Sequence, residues 1–121
     1  MRVFLTVAAG AALAAVAASA HAQAAPKYSA HDMQCFIAAS ELADTASDDQ
    51  AKNTGLMAAM YFAGKLYGAN PKIDFTAAID AETDKYDGLD KTALMKECGA
   101  ELEAHGNEIE AAGKALAAKG K

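Results

Sequence analysis

Residues 90–121 read DKTALMKECGAELEAHGNEIEAAGKALAAKGK and contain the longest regular pattern in the chain. Apolar and small residues recur there at alternating steps of three and four, a heptad pattern typical of a helix face that packs on a partner. The members of this seam are Met95, Cys98, Leu102, His105, Ile109, Ala112 and Leu116. The pattern predicts one helix over about residues 91–119, capped by Asp90 and about 43 Å long.

A glycine also recurs at every seventh position of this segment. The series is Gly99, Gly106, Gly113 and Gly120. Because an interior glycine costs a helix about 1 kcal/mol relative to alanine, the repetition indicates that another helix approaches this edge closely. We expect that neighbour to be the second helix, which has a ridge of small residues at Gly55, Ala59 and Ala63. A helix this long must overhang the bundle, fray at one end or pack on a second copy, and the Ala-, Lys- and Gly-rich composition of residues 115–121 favours fraying.

Two helices are predicted at the start of the folded region. Ser29 and Ser47 each begin a capping-box motif, which predicts helices over about residues 30–46 and 48–67. A tight turn separates the two helices, so they should lie antiparallel. The second helix must end before Pro71, which cannot continue the hydrogen-bond ladder. Its expected apolar face is Met60, Tyr61, Phe62, Leu66 and Tyr67.

A third helix is predicted from its N-cap, Asp74, to Tyr86, with a Schellman-type end at Gly88. Its amphipathic stripe contains Glu82 as the polar member. Apolar alternation is absent throughout and β-branched residues are sparse, so no strand is expected. The predicted fold class is therefore all-α, a small four-helix bundle.

The N-terminal residues have the features of a cleaved signal peptide. A positive residue, Arg2, precedes a short apolar run, and Ala20-His21-Ala22 is a small-x-small cleavage site. We therefore expect residues 1–22 to be a signal peptide and residues 23–121 to form a single helical domain in the periplasm.

The chain has 11 basic and 16 acidic residues, for a net charge of −5. Nucleic acids and anionic lipids are bound mainly through Lys and Arg, so neither is an expected partner. The later apolar run, residues 56–64, is too short to span a bilayer.

The chain has two cysteines, Cys35 and Cys98, and both lie in the expected mature domain. In an oxidising compartment, the simplest interpretation is one disulfide, which would tie the first helix to the fourth. A metal-binding pair and two free buried thiols are the alternatives that the spacing leaves open.

The few histidine, cysteine and methionine residues allow hypothetical metal and haem sites to be proposed. His31 and His105 flank the cysteines in a Cys₂His₂ set, or Met33 joins them in a copper site. Met33 and His105 are also the candidate axial ligands of a haem. The gap between Cys98 and His105 is too long for a compact tetrahedron, and an Ala- and Gly-rich core leaves no haem pocket. We therefore expect no metal and no cofactor.

The serines and carboxylates of the sequence do not form a recognisable catalytic set. Ser29 and Ser47 are explained as helix caps, and Ser40 has no triad partners. Asp80 and Asp84 share a helix face, but two acids at this spacing are more typical of a solvated surface than of a catalytic pair. We expect a non-enzymatic protein. The methionines at 33, 57, 60 and 95, with nearby aromatic residues, form an adaptable apolar set that is more typical of a core than of a binding surface.

Several segments resemble an uncharacterised family of small, exported, two-cysteine helical bacterial proteins. They are Gly55-Leu56-Met57, Tyr61-Phe62-Ala63-Gly64-Lys65-Leu66, Gly68-Ala69-Asn70-Pro71 and Cys98-Gly99-Ala100-Glu101-Leu102, with Gly106. More loosely, the chain is similar to the HdeA-type acid-stress chaperones, which are periplasmic, all-helical and joined by one disulfide. The first resemblance implies an exported helical protein, and the second implies an acid-triggered chaperone.

The function expected from these observations is a non-enzymatic periplasmic helical protein that binds another protein or an envelope component. An HdeA-like acid-stress chaperone and a toxin-immunity protein are the alternatives. The sequence leaves the oligomeric state open.

Overall fold

The computed structural model describes residues 27–120, so the expected signal peptide, residues 1–22, lies outside the described residues. The described chain contains four helices and no strand, which confirms the all-α prediction. The helices are α1 (Ala30–Thr45), α2 (Asp49–Ala69), α3 (Phe75–Asp87) and α4 (Lys91–Lys119). Among residues 27–120, no helix combines the length and the hydropathy needed to cross a membrane.

Each helix begins at a polar side chain that accepts a hydrogen bond from the backbone N–H three residues later. The caps are Ser29, Asp48, Asp74 and Asp90, with donor–acceptor distances of 3.2, 2.8, 3.1 and 3.0 Å. The predicted cap at Ser47 was therefore wrong by one residue. A carboxylate at this position also interacts favourably with the positive end of the helix dipole, which favours Asp48 over its neighbour.

The end of α3 also differs from the prediction. Gly88 has right-handed backbone angles, φ −81° and ψ −6°, so the left-handed Schellman ending is absent. Instead, the N–H of Leu89 donates to the carbonyl of Tyr86 at 3.1 Å. Hydrogen bonds of this short span tighten the last turn and bring the chain directly to the cap of α4.

Helix α1 contacts each of the other three helices, most extensively α2. Asp32, near the start of α1, pairs with Lys65 near the end of α2, so these helices are antiparallel as predicted. Glu41, late in α1, pairs with Lys91 at the start of α4, so α4 is also antiparallel to α1. The first helix is therefore the centre of the bundle.

The Cys35–Cys98 disulfide joins α1 to α4, with a Cα–Cα distance of 5.7 Å. This pairing confirms the predicted covalent link. The disulfide lies in the main core cluster, whose other buried members are Ala38, Phe62, Tyr86 and Leu94. A second cluster of Met33, Leu66 and Ala78 fills the space towards α3.

Glu82 of α3 is the one charged residue in the core of the described chain, with 1% of its surface exposed. One carboxylate oxygen accepts a hydrogen bond from Lys85 at 3.2 Å. The other oxygen has no protein partner among residues 27–120. Glu82 is thus the polar member of a buried helix face, as its place in the stripe predicted.

The glycines show that α2 packs closely on α1 rather than on α4. A Cβ atom on Gly55 would lie 2.5 Å from the backbone nitrogen of Ala43 and 2.8 Å from the carbonyl oxygen of Ala39. At the α4 positions Gly99, Gly106 and Gly113, the same atom would meet nothing within 4 Å. The prediction that the glycine edge of α4 packs on the α2 ridge is therefore wrong, because α1 takes that ridge.

The heptad seam of α4 is packed only along its first part. Leu94 and Cys98 are buried and Leu102 is half-buried, whereas residues 103–119 are exposed along their whole length. The exposed fractions of Ile109 and Leu116 are 71% and 69%. The helix nevertheless continues to Lys119, so the expected fraying is not what the structure shows. We call residues 103–119 the α4 extension.

Candidate functional site

The outer side of α2 exposes several large apolar side chains. They are Leu56, Met57, Met60 and Tyr67, and we call this set the α2 apolar face. Met57 and Met60 are 72% and 68% exposed, which are high values for large apolar residues in the middle of a helix. Contiguous apolar surface of this kind is uncommon on monomeric proteins and marks sites of interaction.

The face exists because α2 is apolar around most of its circumference. No charged residue occurs between Lys52 and Lys65. The side that carries Gly55, Phe62 and Leu66 is buried, so the remaining apolar residues point to solvent. At 1.5 Å per residue, the face extends about 17 Å along the helix, or three turns.

One end of the α2 apolar face is held in place by an aromatic stack. The rings of Tyr67 and Phe75 lie 5.0 Å apart, and Phe75 lies 5.0 Å from Phe36 in turn. In the middle of the face, Gly64 has nothing within 4 Å of the position of a Cβ atom. Ring contacts therefore fix the side chain of Tyr67, and the missing side chain at Gly64 leaves a depression in the face. The flexible methionine side chains can adapt to a partner's shape.

These positions correct the interpretation of the methionine set as core. Met33 is fully buried and Met95 is half-buried, but Met57 and Met60 lie on the surface. The predicted apolar face of the second helix is likewise divided, because Phe62 and Leu66 are buried whereas Met60 and Tyr67 are exposed. The charge-free stretch between Lys52 and Lys65 could have indicated this exposed face. A helix that is apolar on every side either is buried on every side or leaves one apolar side in solvent.

A polar cluster beside the disulfide ties three helices together. The Lys65 ammonium lies 2.6 Å from Asp32 Oδ1 and 2.5 Å from Glu101 Oε1. The hydroxyl of Tyr61 donates to the same Glu101 oxygen at 3.0 Å. One cation therefore pairs with a carboxylate from α1 and with a carboxylate from α4.

The cluster perturbs the protonation of its members. Partial burial by itself raises the pKa of Glu101, but the hydrogen bonds from Lys65 and Tyr61 outweigh it, so the pKa lies below its ordinary value. Burial alone would lower the pKa of Lys65, yet the two carboxylates raise it overall. Burial, and then the bond to Glu101, raise the pKa of Tyr61. At neutral pH the acid and the base are both ionised.

Of the hypothetical metal and haem ligands, the structure brings His31 to the two cysteines and leaves His105 and Met33 elsewhere. His31 lies 3.8 Å from the sulfur of Cys35, but both sulfurs are consumed in the disulfide and cannot act as thiolate ligands. His105 lies away from them on the surface, 2.9 Å from Glu108. Met33 is buried in the second core cluster, so it does not meet His105.

A carboxylate pair near His31 has the spacing of metal ligands. The ligand atoms of His31, Asp32 and Glu101 lie within 4.8 Å of one another. Lys65 bridges the two carboxylates of this set. The ammonium thus lies between the two carboxylates, and the cluster links α1, α2 and α4.

A groove of about 510 Å³ lies between α1 and α3. Phe36, Ile37 and Ile79 provide its apolar walls. Its polar end is closed by Glu41, which accepts a hydrogen bond from Tyr86 and pairs with Lys91 at 3.7 Å. Burial, and then the contact with Glu41, strongly raise the pKa of Tyr86, so this hydroxyl stays protonated.

The candidate catalytic residues have local structural roles. Ser29 caps α1, and the hydroxyl of Ser40 donates to the carbonyl of Phe36 at 2.8 Å. Asp80 and Asp84 are both exposed on α3. In the described chain, neither of these serines has a base beside it, and the two aspartates do not lie in a cleft.

The α2 apolar face is the strongest candidate site because its exposed methionines have no structural explanation within the described fold. Comparison of the chain with protein-family models, with curated proteins and with solved structures finds no match. The inference of function therefore rests on the geometry of this face.

Proposed function

We propose that the protein is a non-enzymatic, periplasmic binding protein that recognises another protein through the α2 apolar face. The observation that carries this proposal is the exposure of Met57 and Met60 next to Leu56 and Tyr67. Burying a side chain of this size on a partner is worth about 1.5–3 kcal/mol. Four such residues on one helix face can therefore supply the core of an interface.

The shape and chemistry of the face favour an amphipathic helix as the partner. The face is a three-turn strip without charge, which matches the apolar stripe of a short helix. The open position at Gly64 admits a close approach of such a helix. Because the protein is acidic, with a net charge of −5, basic residues beside the partner's stripe would speed association.

Site-specific photocrosslinking tests the proposal. A photoreactive residue placed at Met60 should capture a partner in the producing cell. The same residue at Thr54, which is also exposed on α2 but outside the face, should not. The captured protein is then purified, and its affinity is measured by calorimetry.

Met60→Glu should weaken that affinity by at least about tenfold, because a charge would be buried in an apolar contact. Thr54→Glu is the matched control with the same added charge and should leave it unchanged. Equal capture from both positions, or an affinity insensitive to Met60→Glu, would remove the α2 apolar face from the proposal.

An acid-triggered chaperone is the second candidate, and the polar cluster at Lys65 favours it. The cluster joins α1, α2 and α4 through the carboxylates of Asp32 and Glu101. Protonation of Glu101 would remove the ion pair between α2 and α4 and loosen α4, which would uncover the core around Phe62.

The chaperone candidate predicts that binding of the dye ANS rises at about pH 3 while the helical circular dichroism persists. Under the same conditions, the protein should suppress aggregation of an acid-denatured client. If the protein neither binds the dye nor protects the client at that pH, the chaperone candidate is excluded and the binding function is the one that stands.

A further inference from the structure

The α4 extension, together with Leu102 and Gly120 at its two ends, carries two interleaved rows of residues on one side of the helix. The large residues Leu102, Ile109 and Leu116 repeat every seven positions. The glycines Gly106, Gly113 and Gly120 repeat at the same interval, and each lies four residues after a large residue, on the same side of the helix. A seam that alternates a large side chain with a gap is suited to close packing against a complementary helix.

This seam continues an existing interface into solvent. Leu102 packs against the core of the bundle, whereas Ile109 and Leu116 are exposed on the next turns of the same face. Gly106 and Gly113 have no neighbour within 4 Å of a Cβ position. The exposed part of the seam is about 26 Å long. The pattern that packs in the bundle is thus repeated where the described chain provides no cover.

The spacing of the rows is self-complementary when two copies run antiparallel. If Ile109 of one copy lies opposite Gly113 of the other, then Leu116 lies opposite Gly106 in the same register. Leu102 then lies opposite Gly120. Every large side chain of the extension therefore meets a glycine, which lets the two helix axes approach closely.

The charges favour the same antiparallel arrangement. The acidic residues of this region lie in its first half, at 101, 103, 108 and 110, and the basic residues Lys114 and Lys119 lie in its second half. In the register described, Lys114 is level with the partner's Glu108, and Lys119 is level with its Glu103. A parallel pair would instead place acid beside acid, which is unfavourable.

We propose that the protein forms a homodimer through antiparallel pairing of two α4 extensions in this register. The end of each extension then reaches the partner's Leu102, and the two bundles lie at opposite ends of the pair. The contact uses no residue of the α2 apolar face, so the dimer does not depend on the proposed function.

Analytical ultracentrifugation of the full chain tests the dimer. A single pair of helices this short should associate in the micromolar range, so the mass should double between about 1 µM and about 1 mM. Ile109→Glu should raise the dissociation constant by at least about a hundredfold, because the substitution acts twice in a symmetric pair. Ala111→Glu adds the same charge on the opposite side of the helix and should change it little.

Spin labels distinguish the antiparallel from the parallel arrangement. Labels on cysteines that replace Ala100 and Asn107, both exposed, occupy the same heptad position in separate single-label variants. In the antiparallel register, the two copies of residue 100 are offset by about 33 Å along the axis and those of residue 107 by about 12 Å. A parallel pair would give the same distance for both labels.

The proposal is overturned if the protein remains monomeric at about 1 mM, or if the two label distances are equal. It is also overturned if Met60→Glu dissociates the dimer while Ile109→Glu does not, since the second copy would then bind to the α2 apolar face. Circular dichroism of each variant checks that the bundle is folded.

Discussion

At the scale of single residues, Lys65 is the polar centre of the molecule. Its ammonium group joins carboxylates from two other helices at 2.6 and 2.5 Å. A hydrogen bond to a charged group contributes about 1.5–3 kcal/mol when it is protected from water. Because the Lys65 side chain remains 34% exposed, we expect the lower part of this range.

The pKa of Glu101 gives a prediction about acid stability. A carboxyl whose pKa is lower in the folded state than in the unfolded state stabilises the fold above the unfolded pKa, which is about 4.5. That contribution disappears as the pH falls through the folded value. Glu101→Gln should therefore be about 1–2 kcal/mol less stable than the wild type at neutral pH, and the difference should be smaller at about pH 3, below the unfolded pKa.

Urea unfolding at both pH values measures the effect. Glu103→Gln, an exposed carboxylate two positions along α4, is the matched control and should follow the wild type at each pH. A deficit of Glu101→Gln that stays the same at about pH 3 would show that the interaction does not depend on the ionised carboxylate.

Two glycines of α2 give a second prediction at this scale. A methyl group on Gly55 would collide with backbone atoms of α1, so Gly55→Ala should destabilise the protein by about 2–3 kcal/mol. Gly64→Ala meets open space and should stabilise it by about 0.5–1 kcal/mol through helix propensity. Thermal or chemical unfolding of the two variants measures both changes, and a Gly55→Ala protein at least as stable as the wild type would contradict the close α1–α2 contact.

At the scale of the helices, local signals were enough to place the elements. The N-caps Ser29, Asp74 and Asp90 and the full range of α4 agree with the prediction, because capping and heptad spacing are properties of neighbouring residues. The partner of each face was harder to predict. The α4 glycines indicated a close neighbour, but a periodic pattern does not tell which part of a long helix is covered.

The candidate site was missed for the same reason. The sequence shows that α2 is apolar on both sides, and a compact bundle would bury both. Only the packing shows that α1 covers the Gly55–Phe62 side and that Met57 and Met60 are left outside. The number of neighbouring helices that can cover a face depends on how the whole chain packs. Helical periodicity in the sequence does not give that number.

The α4 extension gives a prediction for a whole element. Deletion of residues 107–121 should change the free energy of unfolding of the bundle by less than about 0.5 kcal/mol, because residues 107–119 are exposed. Leu102→Ala removes a half-buried contact and should cost about 1–2 kcal/mol.

Denaturant titrations at high dilution, where self-association is negligible, measure both changes. A truncated protein as unstable as Leu102→Ala would mean that the extension folds back on the bundle. The helical signal should still fall in proportion to the residues removed.

At the scale of the whole molecule, the disulfide is the main constraint on α4. It closes a loop with a sequence separation of 63, for which the loop-closure estimate is about 4 kcal/mol. Replacement of both Cys35 and Cys98 by alanine should lower the stability by about 2–4 kcal/mol. The midpoint of guanidinium unfolding measures this, and wild-type protein treated with a reductant is the matched comparison. An unchanged midpoint would mean that packing alone holds α4.

The central place of α1 has a consequence for the order of folding. Its contact with α2 closes over the short turn at residues 46–48, so this hairpin can form from local contacts within microseconds to milliseconds. The contact with α4 must wait for a far more distant part of the chain. We therefore expect the α1–α2 hairpin to act as the folding nucleus, with α4 docking late and oxidation sealing a structure already formed. Mutations at Gly55 would then slow folding, whereas mutations at Leu94 would mainly speed unfolding.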